Sequence, residues 1–446
     1  MTPRRLAPLA FVAAVAAAVR LPGVWTQAFW QDEVASARIL AEPTLPQAIA
    51  RVARTESTPP LWYVLGWALH HAGLPMREVR LLSVVAGAAL AVATALLARR
   101  LVGERSAVTA GLLVALGAQF VAHGQEIRAY ELFALVSVLF ALALLAAVAR
   151  PTRRNLMWLT AATAAGALTH YFFVFTAAAG VAWLVSDPSA RGARARVGGA
   201  LAAGAALTLP WLPEALRQVH QNRFWWIGPF RLRPVVATPL RLFTFAFSGT
   251  TLGLALSVAT VVVVLAGVLA VRRSPSGRLV AMLALLPLVA AGVAWASGAR
   301  IFALRNAIAI GPFVAVAVAA FPRRALAPVL AAALVLSLSV SDVGRVPPYD
   351  VMARALVADG WKPSIPIAVV GNPFRYRGPL EWYLPRRPVL ALARARSTCS
   401  EVLLVTPSGR VVRVHGRLGR RVTLLGDASH MPHCARRLQV RHAALA

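Results

Sequence analysis

Lysine is almost missing from this chain: Lys362 is its one lysine among 446 residues. Acids are scarce too, with 16 Asp plus Glu against 47 Lys plus Arg. Charged residues make up 14%, where a soluble domain carries roughly a quarter. That shortage excludes an ordinary soluble globular protein. Cysteine is limited to Cys399 and Cys434, so the apolar three quarters of the chain holds no thiol for metal or redox chemistry. The net charge of +31 would suit nucleic acid. However, most arginines of the first 330 residues stand in short clusters between apolar runs, which is the pattern of topology signals at a membrane surface.

What is present is hydrophobic: 59% of residues are apolar and the mean hydropathy is +0.66. Long uncharged runs recur, and such runs require a bilayer as solvent. Spans are expected near 6–22, 79–98, 106–122, 131–149, 155–169, 171–186, 196–213, 250–271, 279–297, 301–320 and 325–341. With a cytoplasmic N-terminus, every second loop is arginine-rich. Those loops carry Arg99, Arg100 and Arg105; Arg150, Arg153 and Arg154; Arg191, Arg194 and Arg196; Arg272, Arg273 and Arg278; and Arg323 with Arg324. Eleven crossings satisfy the rule. The first span follows Arg4 and Arg5 and resembles a signal peptide, but it lacks a clean small-residue cleavage site and reads as an anchor.

The first external loop, 23–78, holds two helices that do not cross. TLPQAIARVAR puts Leu45, Ala48, Ile49 and Val52 on one face, as an interfacial amphipathic helix started by Thr44 and Pro46. PPLWYVLGWALHHA, at 59–72, is too short to span and reads as a juxtamembrane or re-entrant helix. Two domains are expected, a transmembrane domain over 1–341 and a small α/β domain over 342–446. In the second, IPIAVV, EVLLV and RVTLL look like strands beyond a proline-punctuated linker. Parity places this domain outside, where Cys399 and Cys434 are either a disulfide or two separate thiols.

The polar residues gather at the external helix ends. Asp32 and Glu33 follow Phe29 and Trp30; a carboxylate there either takes a proton from an acceptor hydroxyl or caps the next helix. HGQEIRAYEL supplies Glu126 as a second acid and Arg128 as a cation for a phosphate, or a local ion pair. His170, in THYFF, either satisfies a helix end or meets the donor phosphate. Arg305 lies inside an apolar segment, where a cation is costly unless it snorkels or meets an anion such as a lipid phosphate. Trp225 and Trp226 read first as interface aromatics; with Tyr130 and Tyr171 they are also candidates to bind substrate. No residue is assigned to a metal.

These stretches resemble the bacterial GT-C glycosyltransferases of the family 39 type, which include protein O-mannosyltransferases and lipid A aminoarabinose transferases. WQDE at 30–33, PPLWYVL at 59–65, GQEIRAYEL at 124–132, and THYFFVF with PWLP at 210–213 match in order. LRNAIAIGP has Asn306 where the family commonly has Tyr. The resemblance implies an all-α polytopic fold and transfer of a sugar from a polyprenyl-phosphate carrier to an acceptor lipid, glycan or protein, on the external face of the plasma membrane. It implies Asp32 as general base or acceptor-positioning carboxylate, Glu126 as second acid, and Arg128 and Arg305 as candidates to neutralise the departing phosphate. Relatives in the wider superfamily use a divalent metal beside this acid; the sequence leaves the cofactor open. Two rival classes stand beside the enzyme: a transporter or flippase of an anionic lipid, and a scaffold binding envelope polymer. A nucleic-acid partner is not expected.

Overall fold

The computed structural model describes residues 3–221, 227–244, 251–320, 348–358, 360–362, 367–369, 374–384, 386, 390–392, 401–405 and 411–415. Cys399, Cys434, Trp225, Trp226 and the expected span 325–341 lie outside the described residues. The chain forms two compact units. The first is Met1–Trp25 with Ile39–Asp342, and the second is Thr26–Arg38 with Val343–Ala446.

The first unit is helical. Its elements begin with α1 (Pro3–Thr26), the end of α2 (Gln31–Leu40), α3 (Leu45–Thr55), α4 (Leu61–His71), α5 (Arg80–Val102), α6 (Glu104–Leu116) and α7 (Ala118–His123). They continue with α8 (Tyr130–Ala149), α9 (Arg153–Thr169), α10 (Phe173–Ser186), α11 (Arg194–Ala206), α12 (Leu212–His220), α13 (Leu232–Arg241), α14 (Thr251–Val271), α15 (Pro275–Ala296) and α16 (Gly311–Val318). By length and apolarity, five described stretches can cross a bilayer: Leu6–Thr26, Met76–Val102, Tyr130–Ala149, Thr251–Val271 and Pro275–Ala296. Phe173–Ser186 with Pro188–His220 would be a sixth, bent by 98°. The chain is therefore a multi-pass membrane protein, while the expected eleven exceeds the full-length spans among the described residues.

The shortfall has visible causes. The expected span 106–122 breaks at Gly117, whose backbone is extended. The amides freed at Ala118 and Gln119 donate to the carbonyls of Phe243 and Leu242, at 3.2 Å each. The expected span 301–320 opens as a 3-10 turn over Leu304–Ile310 before α16. The expected span 196–213 is the 13-residue α11 followed by a turn. Lipid-facing character is clearest on α14, which exposes Val258, Val262, Leu265 and Leu269.

One buried pair joins three helices. Arg20 and Glu131 are fully buried with 4.0 Å between them. The Arg20 guanidinium donates to the carbonyls of Ala16 and Ala115 at 2.9 and 2.8 Å. Gly87 and Gly124 make room for it, since a Cβ on either would lie 2.5 Å from Arg20 Nε.

The second unit, as described, is a four-stranded sheet with helices α17 (Tyr349–Ala358) and α18 (Phe374–Tyr383). Its strands are β1 (Ile367–Val369), β2 (Leu390–Leu392), β3 (Glu401–Val405) and β4 (Val411–His415). They run in the order β2-β1-β3-β4; β1 pairs parallel with β2 and β3, and β3 pairs antiparallel with β4. Its core joins Ala28 to Tyr349, Met352, Leu356, Ile367 and Leu380. The segment 26–38 is thus built into this unit.

Candidate functional site

Turns between helices of the first unit carry most of the candidates. The break at Gly117 redirects the chain so that α7 ends at His123 and the turn 124–129 leads into α8. Neighbouring helices fix that turn. Ser83 of α5 donates to the Glu126 carbonyl at 2.7 Å, and Gln125 Nε2 donates to the Val19 carbonyl at 3.2 Å. Gly23 admits the Gln125 side chain, because a Cβ there would come within 2.3 Å of it. Arg80 in turn holds the end of α1 through the Val24 carbonyl at 3.0 Å.

Arg128 is buried, and its Nη1 donates to Glu56 Oε2 at 3.2 Å and to the Tyr63 hydroxyl at 3.3 Å. Tyr63 donates to the same Glu56 oxygen at 2.8 Å. Burial first, and Glu56 after it, raise the Tyr63 phenol above its usual range despite the nearby Arg128. The arginine therefore sits in a fixed bracket of acid and phenol, with little conformational freedom left. Glu126 is buried and 2.9 Å from His123 Nδ1, so this acid is engaged by an imidazole.

Tyr130 is the hub. The guanidinium carbons of Arg128 and Arg305 lie 5.9 and 6.0 Å from its ring centre, within cation–π reach. His123 and His170 lie 4.5 and 5.9 Å from the same ring, and Phe133 stacks on His170 at 4.6 Å. Burial, then Arg128 and Arg305, lower the His170 pKa to about 3. His170 is thus a neutral imidazole beside two cations, a hydrogen-bonding group and not a third positive charge. Arg305 stands in the 3-10 turn, half-buried, and Asn306 secures this turn by donating to the Ile301 carbonyl at 2.9 Å. Tyr171 points to other partners: its hydroxyl donates to Gln218 Oε1 at 2.8 Å and accepts from Trp211 Nε1 at 3.0 Å. Burial pushes that phenol up to about 12.

Asp32 and Glu33 belong to the second unit. They occupy the first turn of α2, where the helix dipole favours carboxylates. Their environments differ. Glu33 is buried and accepts from its own Trp30 amide at 3.4 Å, half of a capping box. Asp32 is only half-buried. Beside them, the Phe29 amide donates to the Tyr383 hydroxyl at 2.8 Å and Arg38 pairs with Glu381 at 3.2 Å.

The structure therefore brings Glu126, Arg128, Tyr130, His170 and Arg305 into one cluster. Glu56, Tyr63 and His123 complete it and were not singled out from the sequence; Tyr63 sits in the PPLWYVL motif, the one hint to its importance. Among the described residues no three His, Cys, Asp or Glu side chains stand together as a metal site.

This helical architecture, with turn-borne arginines and acids, resembles in fold the membrane glycosyltransferases of the GT-C type. It matches the archaeal oligosaccharyltransferase AglB from Archaeoglobus fulgidus, in a complex with an inhibitory peptide and a dolichol-phosphate. The TM-score is 0.56 at 15% identity, over 86% of this chain and 64% of that one. An Archaeoglobus fulgidus oligosaccharyltransferase in complex with Zn and sulfate gives 0.54 at 16% identity, over 85% and 62%. ArnT from Cupriavidus metallidurans, bound to undecaprenyl phosphate, gives 0.43 at 15%, covering 86% of each. The chain spans less than two thirds of the oligosaccharyltransferase chains. Residues 57–213 match the dolichyl-phosphate-mannose-protein mannosyltransferase family, and the resemblance to GT-C glycosyltransferases thus holds in sequence as well as fold. No match is found among curated protein sequences.

Proposed function

We propose that this chain is a glycosyltransferase that moves a sugar from a polyprenyl-phosphate carrier to an acceptor hydroxyl on the extracytoplasmic face of the plasma membrane. The observation that carries the reading is the pair of guanidiniums, Arg128 and Arg305, held about one aromatic ring beside a neutral histidine. A buried, fixed cation with a half-buried second one beside the same ring suits a leaving group that departs as a phosphate. The matched family acts from a dolichyl-phosphate sugar, which agrees with such a donor.

In this reading Arg128 and Arg305 hold the donor phosphate, and His170 hydrogen-bonds it without adding charge. The acceptor oxygen bonds to the anomeric carbon, the bond from that carbon to the phosphate oxygen breaks, and the electron pair stays on the phosphate. Asp32 takes the hydroxyl proton. Glu33, spent on its own helix turn, is a positioning group for Asp32. Glu126, held by His123, orders the turn that carries Arg128. Tyr130 supplies the surface beside which the donor head group lies.

The test is transfer of radiolabelled sugar from polyprenyl-phosphate donors in membranes bearing wild type or Asp32→Asn. Label transferred by wild type and lost in the variant, at equal expression, supports the enzyme and its base. Equal transfer by both would remove Asp32 from the chemistry. If no donor yields transfer while the protein translocates a fluorescent prenyl phosphate, the flippase reading replaces this one.

A further inference from the structure

The end of the helical unit opposite the donor cluster carries a second feature. Helices α9 and α11 run in the same direction. Thr160 Oγ1 donates to the Ala200 carbonyl at 3.0 Å, and further along both helices Gly204 packs on Thr160 and Thr163. Arg153, seven residues before Thr160, and Arg196, four before Ala200, therefore stand at the same end. Both line a recess of about 540 Å³. Its walls are Met157, Thr160, Ala161 and Ala200, and Leu207 lies at its far end. On the α11 side the recess is lined by Arg196, Ala200 and Leu207, and the small Ala200 side chain leaves room between the other two.

Arg278 is paired with Asp187 at 2.6 Å, Arg99 with Glu104 at 3.6 Å, and Arg194 donates to the Leu184 carbonyl at 3.0 Å. Arg153 and Arg196 are exposed, with no side-chain hydrogen-bond or ion-pair partner among the described residues. The same holds for several other arginines at this end, among them Arg100, Arg150, Arg154, Arg191, Arg272 and Arg273, but only Arg153 and Arg196 line the recess. A strip with Met157 and Leu207 each 61% exposed is at home against hydrocarbon, not water. The loop-charge rule assigns this end to the cytoplasm, whose leaflet carries the anionic lipids.

We propose that the α9–α11 recess binds an anionic phospholipid, its head-group phosphate between Arg153 and Arg196 and one acyl chain along Met157, Ala161 and Leu207. The charge pair fits the phosphate and the apolar groove fits the chain, so a free phosphate would satisfy only half of the site. This site is separate from the donor cluster and independent of the transfer reaction.

The experiment is the thermal unfolding of the full chain in nanodiscs of phosphatidylcholine, with and without phosphatidylglycerol. A ligand that binds only the folded state raises the midpoint. Wild type should gain several degrees from phosphatidylglycerol, and Arg153→Gln/Arg196→Gln should lose that gain while matching wild type in pure phosphatidylcholine. At about fivefold in affinity per arginine, the double variant should bind roughly 25-fold more weakly. Ala161→Trp, which fills the groove and keeps both arginines, should lose the gain as well. A gain unchanged in the double variant would overturn the proposal. So would one kept in full by Ala161→Trp, or one reproduced by inorganic phosphate alone.

Discussion

The two units hold their charged groups under opposite conditions. In the first, Arg128 is locked by Glu56 and Tyr63, and Glu126 by His123, each in a buried, hydrogen-bonded pair. In the second, Asp32 is half-buried at the start of a helix, while its neighbour Glu33 is consumed by that helix. A group that must keep its charge next to a phosphate gains from being fixed beforehand. A group that must accept and release a proton needs access to its partner, and Asp32 has more of it than Glu33.

The sharpest way to break this contrast is to neutralise the two adjacent acids one at a time. Asp32→Asn should cost ~10²–10⁴ in transfer rate. Glu33→Gln should lower stability by about 1 kcal/mol through the helix turn and leave most of the rate. Equal loss of rate from both would mean the pair works as one unit.

Next in size is Glu56→Gln, which leaves Arg128 buried without its counter-charge. Its expected cost is about 3–5 kcal/mol of stability, read as a fall in unfolding midpoint. Glu56→Leu with Arg128→Met should recover most of that midpoint and none of the activity. A Glu56→Gln protein as stable as wild type would show that the bracket is not what holds Arg128.

Arg305→Gln should weaken donor binding by roughly 10- to 100-fold, the worth of one charged hydrogen bond, and appear mainly in the donor KM. An effect confined to the acceptor KM would move Arg305 out of the donor site.

The smallest effect concerns acidity. His170 titrates at about 3 in the folded protein and at 6.5 otherwise. Between those values the unfolded chain binds a proton that the native one refuses. Stability is therefore fully present above pH 6.5 and declines as pH falls toward 3, by up to about 1.4 kcal/mol per pH unit. His170→Gln should flatten that slope in unfolding measured from pH 7 to 4. The same slope in the variant would assign the acid lability to another group.

The local features of this architecture were legible in the sequence, and the pairings were not. Thr44 and Pro46 announce α3, and the structure gives it a full capping box between Thr44 and Gln47, with Ala48 and Val52 buried. The helices around Tyr130–Ala149 and Thr251–Val271 follow from uncharged apolar runs. The residues Glu126, Arg128, His170 and Arg305 could be nominated because polar groups at apolar helix ends need a reason. Glu56 stayed hidden, since its partner is 72 residues away and nothing local marks it. The break at Gly117 was hidden for the same reason: it is tolerable only because Leu242 and Phe243 lend their carbonyls. Depth misled at Arg305, which a hydropathy window puts inside a span and the fold puts in a 3-10 turn.

The incorporation of residues 26–38 into the second unit bears on how such proteins can be recombined. The helix α2 starts in one unit and ends in the other, changing allegiance between Arg38 and Ile39. A graft or truncation cut at residue 342 would strip Ala28 and Phe29 of Leu380, Trp382 and Tyr383, against which they are packed. The C-terminal unit is not an exchangeable cassette. Whatever lineage donates it must donate the WQDE segment too, so the two stretches, more than 300 residues apart, should be inherited as one piece.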